Sequence, residues 1–177
     1  MVLLLIWTAT ASAQKPAANP GSPSTRPTSQ PAAAWGEAVD GVQASLQTSR
    51  LTFKTTDVAM FSASVRNQGQ KDLLVTRTQE LCELELDGAW YLWFGDVDAK
   101  ASSFGPSQLY ENIRISLDGP WQATTGGARL KLTPGHHVLR VAFFPAAFQV
   151  FEKPLRVVSN PIEFDIVQNL PVPPPPK

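Results

Sequence analysis

The chain has 177 residues, room for one ordinary domain, with 43% apolar and 17% charged side chains and 15 Lys plus Arg against 15 Asp plus Glu. That neutrality, with no Lys/Arg run anywhere, argues against nucleic-acid binding, which needs a basic surface to neutralise phosphates. The single cysteine, Cys82, excludes an intramolecular disulfide and any site built from several thiolates.

In chain order, the first segment is a short apolar run from Met1 that ends in Ala11-Ser12-Ala13. This pattern predicts a secretory signal peptide over 1–13 cleaved after Ala13, although no Lys or Arg precedes the run. No cysteine follows it to carry a lipid, and it is too short to span a bilayer as a helix, so no integral membrane segment is expected after cleavage. The expected location is secreted or periplasmic. Residues 14–33 are mostly Ala, Pro, Ser, Thr and Gln with no large apolar side chain, so they read as a disordered tether. The far end, 169–177, is rich in Pro and reads as a polyproline-type disordered tail.

Between them, 34–168 reads as strand, turn, strand. Val42 to Thr48 alternates imperfectly, and Phe61, Ala63 and Val65 alternate with Ser62, Ser64 and Arg66. Asn67-Gln-Gly69 breaks that strand and Leu73 to Thr76 resumes it. Cys82, Leu84 and Leu86 alternate with Glu83, Glu85 and Asp87, and Asp87-Gly88 is a type I′ turn signal followed by a returning strand, Ala89 to Phe94. Ile113, Ile115 and Leu117 alternate with Arg114 and Ser116. Leu130 and Leu132 precede a tight turn at Thr133-Pro134-Gly135, after which His137 to Phe144 and Ile162 to Ile166 read as the last strands. No stretch of the domain carries a helical apolar stripe. The expected fold class is all-β, an antiparallel β-sandwich of about seven to nine strands with disordered ends.

Phe61 to Val75, with its Asn67-Gln-Gly69 turn, resembles the strand, turn and next strand of bacterial immunoglobulin-like domains of the cell-adhesion-related and intracellular proteinase-inhibitor types. Trp35 to Gln43 and Leu132 to His136 are similar to uncharacterised secreted domains of planctomycete-type bacteria. The resemblance implies an immunoglobulin-like fold and an envelope location. It carries over no catalytic residue and suggests binding or inhibition.

Little chemistry is legible. Cys82 shares a face with Leu84 and Leu86 and reads as a buried small hydrophobe rather than a reactive thiol. His136 and His137, if both lie on a strand, point to opposite faces and cannot chelate one ion; the default is a pair of solvated turn residues. Glu83, Glu85 and Asp87 share a strand face, with Asp96 and Asp98 beyond the paired strand, but no Ca²⁺-loop pattern accompanies them. They read as the charged outer face of a hairpin, so neither a metal nor another cofactor is expected.

The remaining candidate is aromatic. Trp90, Tyr91, Trp93, Phe94, Phe104 and Tyr110 crowd around one hairpin and its following connection. Both faces of that strand carry rings. One set is core; the other, represented by Tyr91 and Trp93, lies under the connection from Gly95 to Tyr110 or forms an exposed platform. Tyr91, Trp93, Phe104 and Tyr110 are therefore the candidate binding residues. The expected function is non-enzymatic interaction with a protein or cell-envelope partner. The alternatives are carbohydrate binding through Tyr91 and Trp93, or protease inhibition through the 95–110 connection by analogy of fold.

Overall fold

The computed structural model describes residues 34–147 and 153–169. The chain divides into two units, Met1–Pro31 and Ala32–Lys177, and every described residue belongs to the second. The expected signal peptide and tether, and nearly all of the Pro-rich tail, lie outside the described residues.

The described chain is all-β. Its 13 strands are β1 (Val42–Gln47), β2 (Thr52–Lys54), β3 (Met60–Asn67), β4 (Leu73–Thr76), β5 (Glu83–Leu86), β6 (Ala89–Trp93), β7 (Ala101–Phe104), β8 (Leu109–Ser116), β9 (Trp121–Ala123), β10 (Gly135–Phe143), β11 (Ala146–Ala147), β12 (Val157–Val158) and β13 (Ile162–Val167). A single 3-10 turn, Gln79–Leu81, precedes β5. One sheet runs β1-β3-β8 and a larger one runs β2-β13-β10-β5-β6-β9, with β12 added beside β10. A third, small sheet runs β11-β4-β7.

The strand count exceeds the expected seven to nine for a local reason. The strands not expected, β2, β7, β9, β11 and β12, are two to four residues long, too short to display an alternation. One pair is also not antiparallel: β2 runs parallel to β13, with Asp165 opposite Thr52 and Val167 opposite Lys54. Leu130 and Leu132 do not form a strand; only Arg129 makes an isolated bridge, to Gln122.

The two main sheets face each other across one core, so the fold is a β-sandwich. Val42, Ala44, Leu46, Ala63, Val65 and Ile115 point inward from the smaller sheet, and Leu84, Leu139, Val141, Phe164 and Ile166 from the larger. Phe61 joins the two: its ring centroid lies 5.6 Å from Phe53 and 5.2 Å from Phe164. Cys82 is part of this core, and burial pushes its thiol pKa up, with the Glu80 charge adding to the shift.

Two buried amides fasten parts of the chain that no ladder connects. Asn160 stands between β12 and β13, yet its side chain accepts from the Leu46 N–H at 2.8 Å and donates to the Leu46 carbonyl at 3.1 Å. It thereby imitates a peptide group for the free edge of β1. Asn67 ends β3: its amide donates to the Lys71 and Phe104 carbonyls, both at 2.9 Å, while its oxygen accepts from Gly69 N–H. The Asn-x-Gly turn therefore ties β3 to both β4 and β7. The other edge of the smaller sheet, β8, carries a register shift opposite Ala63 to Val65, with Asn112 at φ 60° in the left-handed region. A bulge with charged Glu111 and Arg114 beside it discourages strand addition at that edge.

Candidate binding surface

Hairpin β5–β6 positions the aromatic cluster. Asp87 (φ 52°) and Gly88 (φ 84°) form the expected two-residue turn, both left-handed as a type I′ turn requires. That turn sets Leu86 opposite Ala89, Leu84 opposite Tyr91 and Glu83 opposite Leu92. Directly opposed residues share a sheet face, so Tyr91 and Trp93 join the inward side with Leu84 and Leu86.

Tyr91 and Trp93 are accordingly half-buried and packed on the core instead of forming an exposed platform. Trp93 meets the fully buried Trp121 edge-on, with centroids 5.3 Å apart and planes at 89°. The indole N–H of Trp121 donates to the Ser116 carbonyl at 2.8 Å, which locks that ring. Gly119 makes the arrangement possible, because a Cβ there would lie 2.3 Å from the Trp93 ring.

Phe104 and Tyr110 form a different group. Phe104 is fully buried in the core and offers a partner no contact area. Tyr110 stacks on it at 5.3 Å, donates its hydroxyl to the Ser103 carbonyl and carries the Arg77 guanidinium over its ring at 4.6 Å. The connection from Gly95 to Tyr110 is not one long loop. Ala101 to Phe104 form β7 and pair with β4, which divides the connection into a mostly exposed stretch at 95–100 and a short exposed turn at 106–108.

The outward side of β6 carries Trp90 and Leu92, and Phe94 follows with the same parity. Phe94 is 70% exposed, Leu92 48% and Val97 48%. A shallow depression of about 250 Å³ lies between Trp93, Phe94 and Gly95. Trp90 is covered: the Arg156 guanidinium sits 4.0 Å over its ring and is held by Glu83 at 2.8 and 3.0 Å. One strand across, Arg140 Nη2 lies 2.8 and 2.6 Å from the two oxygens of Glu85.

The acidic series is thus neutralised residue by residue, by Arg156 at Glu83, Arg140 at Glu85 and His137 at Asp87. Arg77 and Lys100, which lie near the hairpin in the sequence, make none of these pairs. Among the described residues no three His, Cys, Asp or Glu side chains converge as a metal would require.

The two histidines do lie on a strand, β10, and point to opposite faces. His136 is exposed beside Asp165 and Glu163. His137, expected as a solvated turn residue, is buried. Its Nδ1 donates to Asp87 Oδ2 at 2.7 Å and its Nε2 to the Thr133 carbonyl at 2.7 Å, while Asp87 Oδ1 accepts from Val138 N–H at 2.8 Å. Two acceptors facing both ring nitrogens favour the imidazolium. Desolvation lowers the His137 pKa, but the Thr133 carbonyl and the Asp87 carboxylate together outweigh it and raise it above the ordinary 6.5.

No known protein family matches the chain, and no curated protein matches it. Among solved structures it is similar to part of a β-glucosidase from Erythrobacter marinus, at 12% identity and a TM-score of 0.38. That alignment covers 71% of this chain and 15% of the other, so the chain spans a small part of that enzyme's length. A likeness this slight carries nothing about activity. Among the described residues no helix is long and apolar enough to cross a membrane.

Proposed function

We propose that the chain is an exported, non-enzymatic interaction domain of the immunoglobulin-like kind that holds a protein partner of the cell envelope at the outward rim of β6. The open rim carries this reading: Phe94, Leu92 and Val97 lie close together in the chain, outside the core, beside the depression at Trp93. Neighbouring exposed apolar side chains at a sheet margin have the composition of a protein contact, where aromatic anchors supply most of the binding energy. Immunoglobulin likeness is supported by strand order. The first strand region is split, β1 pairing with β3 in one sheet and β2 running parallel to the last strand, β13, in the other. The sequence β13-β10-β5-β6 then matches the last strand, its predecessor and the central hairpin of a variable-type sheet.

Carbohydrate binding through Tyr91 and Trp93 loses support, because both rings pack inward. Protease inhibition through the 95–110 connection is disfavoured by the pairing of β7 with β4, since inhibition needs a protruding loop. The polar pairs of the hairpin are engaged in holding strands together: Asp87 with His137, Glu83 with Arg156, Glu85 with Arg140.

The test is site-specific photocrosslinking in the cells that make the protein. A benzophenone side chain at position 94 is expected to give a discrete adduct, and one at exposed Thr56 none. Adducts absent at 94, or equal at both positions, would remove the rim as a partner site.

A further inference from the structure

We propose that a second site, the groove beside Trp35 where the β1 edge meets β12, binds a neutral oligosaccharide. The groove has a volume of about 510 Å³ and is lined by Trp35, Glu37, Arg140, Arg156 and Asn160, among others. It uses none of the rim residues and stands apart from the rim reading.

Its wall is a pre-set aromatic plane. Arg66 places its guanidinium 4.1 Å over the Trp35 ring, and Gln43 holds that guanidinium through Nε at 3.0 Å and Nη2 at 2.7 Å. The Gln43 amide in turn donates to the Gly36 carbonyl at 2.9 Å, which fixes the backbone beside the ring. Gly36 N–H donates to the Ala44 carbonyl at 2.8 Å, so this segment lies along the edge of β1. Only glycine fits there: a Cβ at Gly36 would stand 2.0 Å from the Val158 carbonyl oxygen. The ring is thereby oriented before any ligand arrives, which lowers the ordering cost of binding.

The other groups in the groove set the ligand class. Arg140 and Arg156 are each oriented by a glutamate, Glu85 and Glu83, and retain further N–H donors. Glu37 is exposed and adds an acceptor. Counting Arg66 on the Trp35 ring, three guanidiniums stand against three carboxylates, Glu37, Glu83 and Glu85, so no excess positive charge exists to hold an anion. An aromatic plane with fixed donors and a carboxylate suits a pyranose, whose C–H face packs on an indole and whose hydroxyls both donate and accept. A pocket of this size lies within the range of small-ligand sites.

Trp35 reports on this directly. In heteronuclear spectra of the full chain the Trp35 indole N–H signal is identified by its loss in Trp35→Phe. The probes are cellohexaose and hexa-N-acetylchitohexaose, two sources of neutral β-linked pyranoses. At least one is expected to move the Trp35 signal saturably, with Kd of about 0.1 to 1 mM. In calorimetric titrations with the same sugars, Trp35→Ala is expected to weaken that binding at least about tenfold and Glu37→Ala about threefold. Glu37→Ala keeps the test open if Trp35→Ala unfolds, because Glu37 is exposed and its loss leaves the melting temperature unchanged. The proposal fails if neither sugar moves the Trp35 signal up to about 10 mM, or if the shifts fall on Trp93 instead. Binding unaffected by Glu37→Ala and Trp35→Ala alike also overturns it.

Discussion

On one face of β6, Tyr91 and Trp93 lie against Leu84 and Trp121; on the other, Leu92 and then Phe94 look outward beside a Trp90 already covered by Arg156. The residue types on the two faces are nearly interchangeable, so composition does not distinguish them. Pairing does: whichever residue stands opposite Leu84 or Trp121 is drawn into the core, and its neighbours in the chain are turned to solvent. Large side chains on the inner face contribute to stability, whereas Leu92 and Phe94 on the outer face stay exposed.

The comparison breaks most visibly at Trp121. Trp121→Ala removes a fully buried ring, its hydrogen bond to Ser116 and the edge on which Trp93 rests. Denaturant unfolding is expected to lose about 3 to 5 kcal/mol. If the loss is under about 1 kcal/mol, the inner face is not the stabilising one.

A smaller loss is expected at Asn160, which tests whether polar fastening rivals apolar packing. Asn160→Ala leaves the Leu46 N–H and carbonyl buried without their partner, at about 2 to 4 kcal/mol in all. Asn160→Asp restores the acceptor but not the donor. It is expected to leave amide exchange at Leu46 slower than in the alanine variant.

His137 makes the comparison pH-dependent, since the turn that sets the β6 register is held by its contact with Asp87. Its folded-state pKa is raised above the unfolded 6.5, so its contribution is fully present below 6.5 and is lost as pH rises through the folded value. His137→Gln is expected to cost about 1.5 to 3 kcal/mol at pH 6 and progressively less at higher pH. Stability curves for the two proteins that stay parallel across that window would show that the imidazolium is not the stabilising form.

The smallest effect on stability belongs to the outer face. Phe94→Ser is expected to change unfolding free energy by less than about 0.5 kcal/mol while abolishing the adduct formed from a benzophenone side chain at exposed position 97. A large destabilisation would mean that Phe94 belongs to the core after all.

The facing of β6 is more legible in the sequence than the assignment of Tyr91 and Trp93 to the set outside the core allows. A two-residue turn at Asp87-Gly88 fixes which residues oppose one another, and Leu84 and Leu86 alternate with charges. Together those features already place Tyr91 and Ala89 inward. Phe104 had no such cue, because β7 is four residues long and its partner β4 lies 25 residues or more away in the chain. Trp35 enters the sequence reading only as the start of the Trp35 to Gln43 resemblance, since its platform depends on Arg66 and Gln43 meeting across β1 and β3.

The all-β class, the I′ hairpin and the buried state of Cys82 follow from the sequence by itself, because period-two alternation and turn chemistry are properties of a few consecutive residues. The parallel docking of β2 on β13, the reach of Asn160 to β1, the burial of His137 between Asp87 and Thr133 and the groove at Trp35 were decided only in the tertiary structure. Each joins groups that no local pattern relates, through contacts that form when the two sheets close on a shared core. Such contacts depend on the geometry of the whole sandwich and leave no periodic mark on the chain.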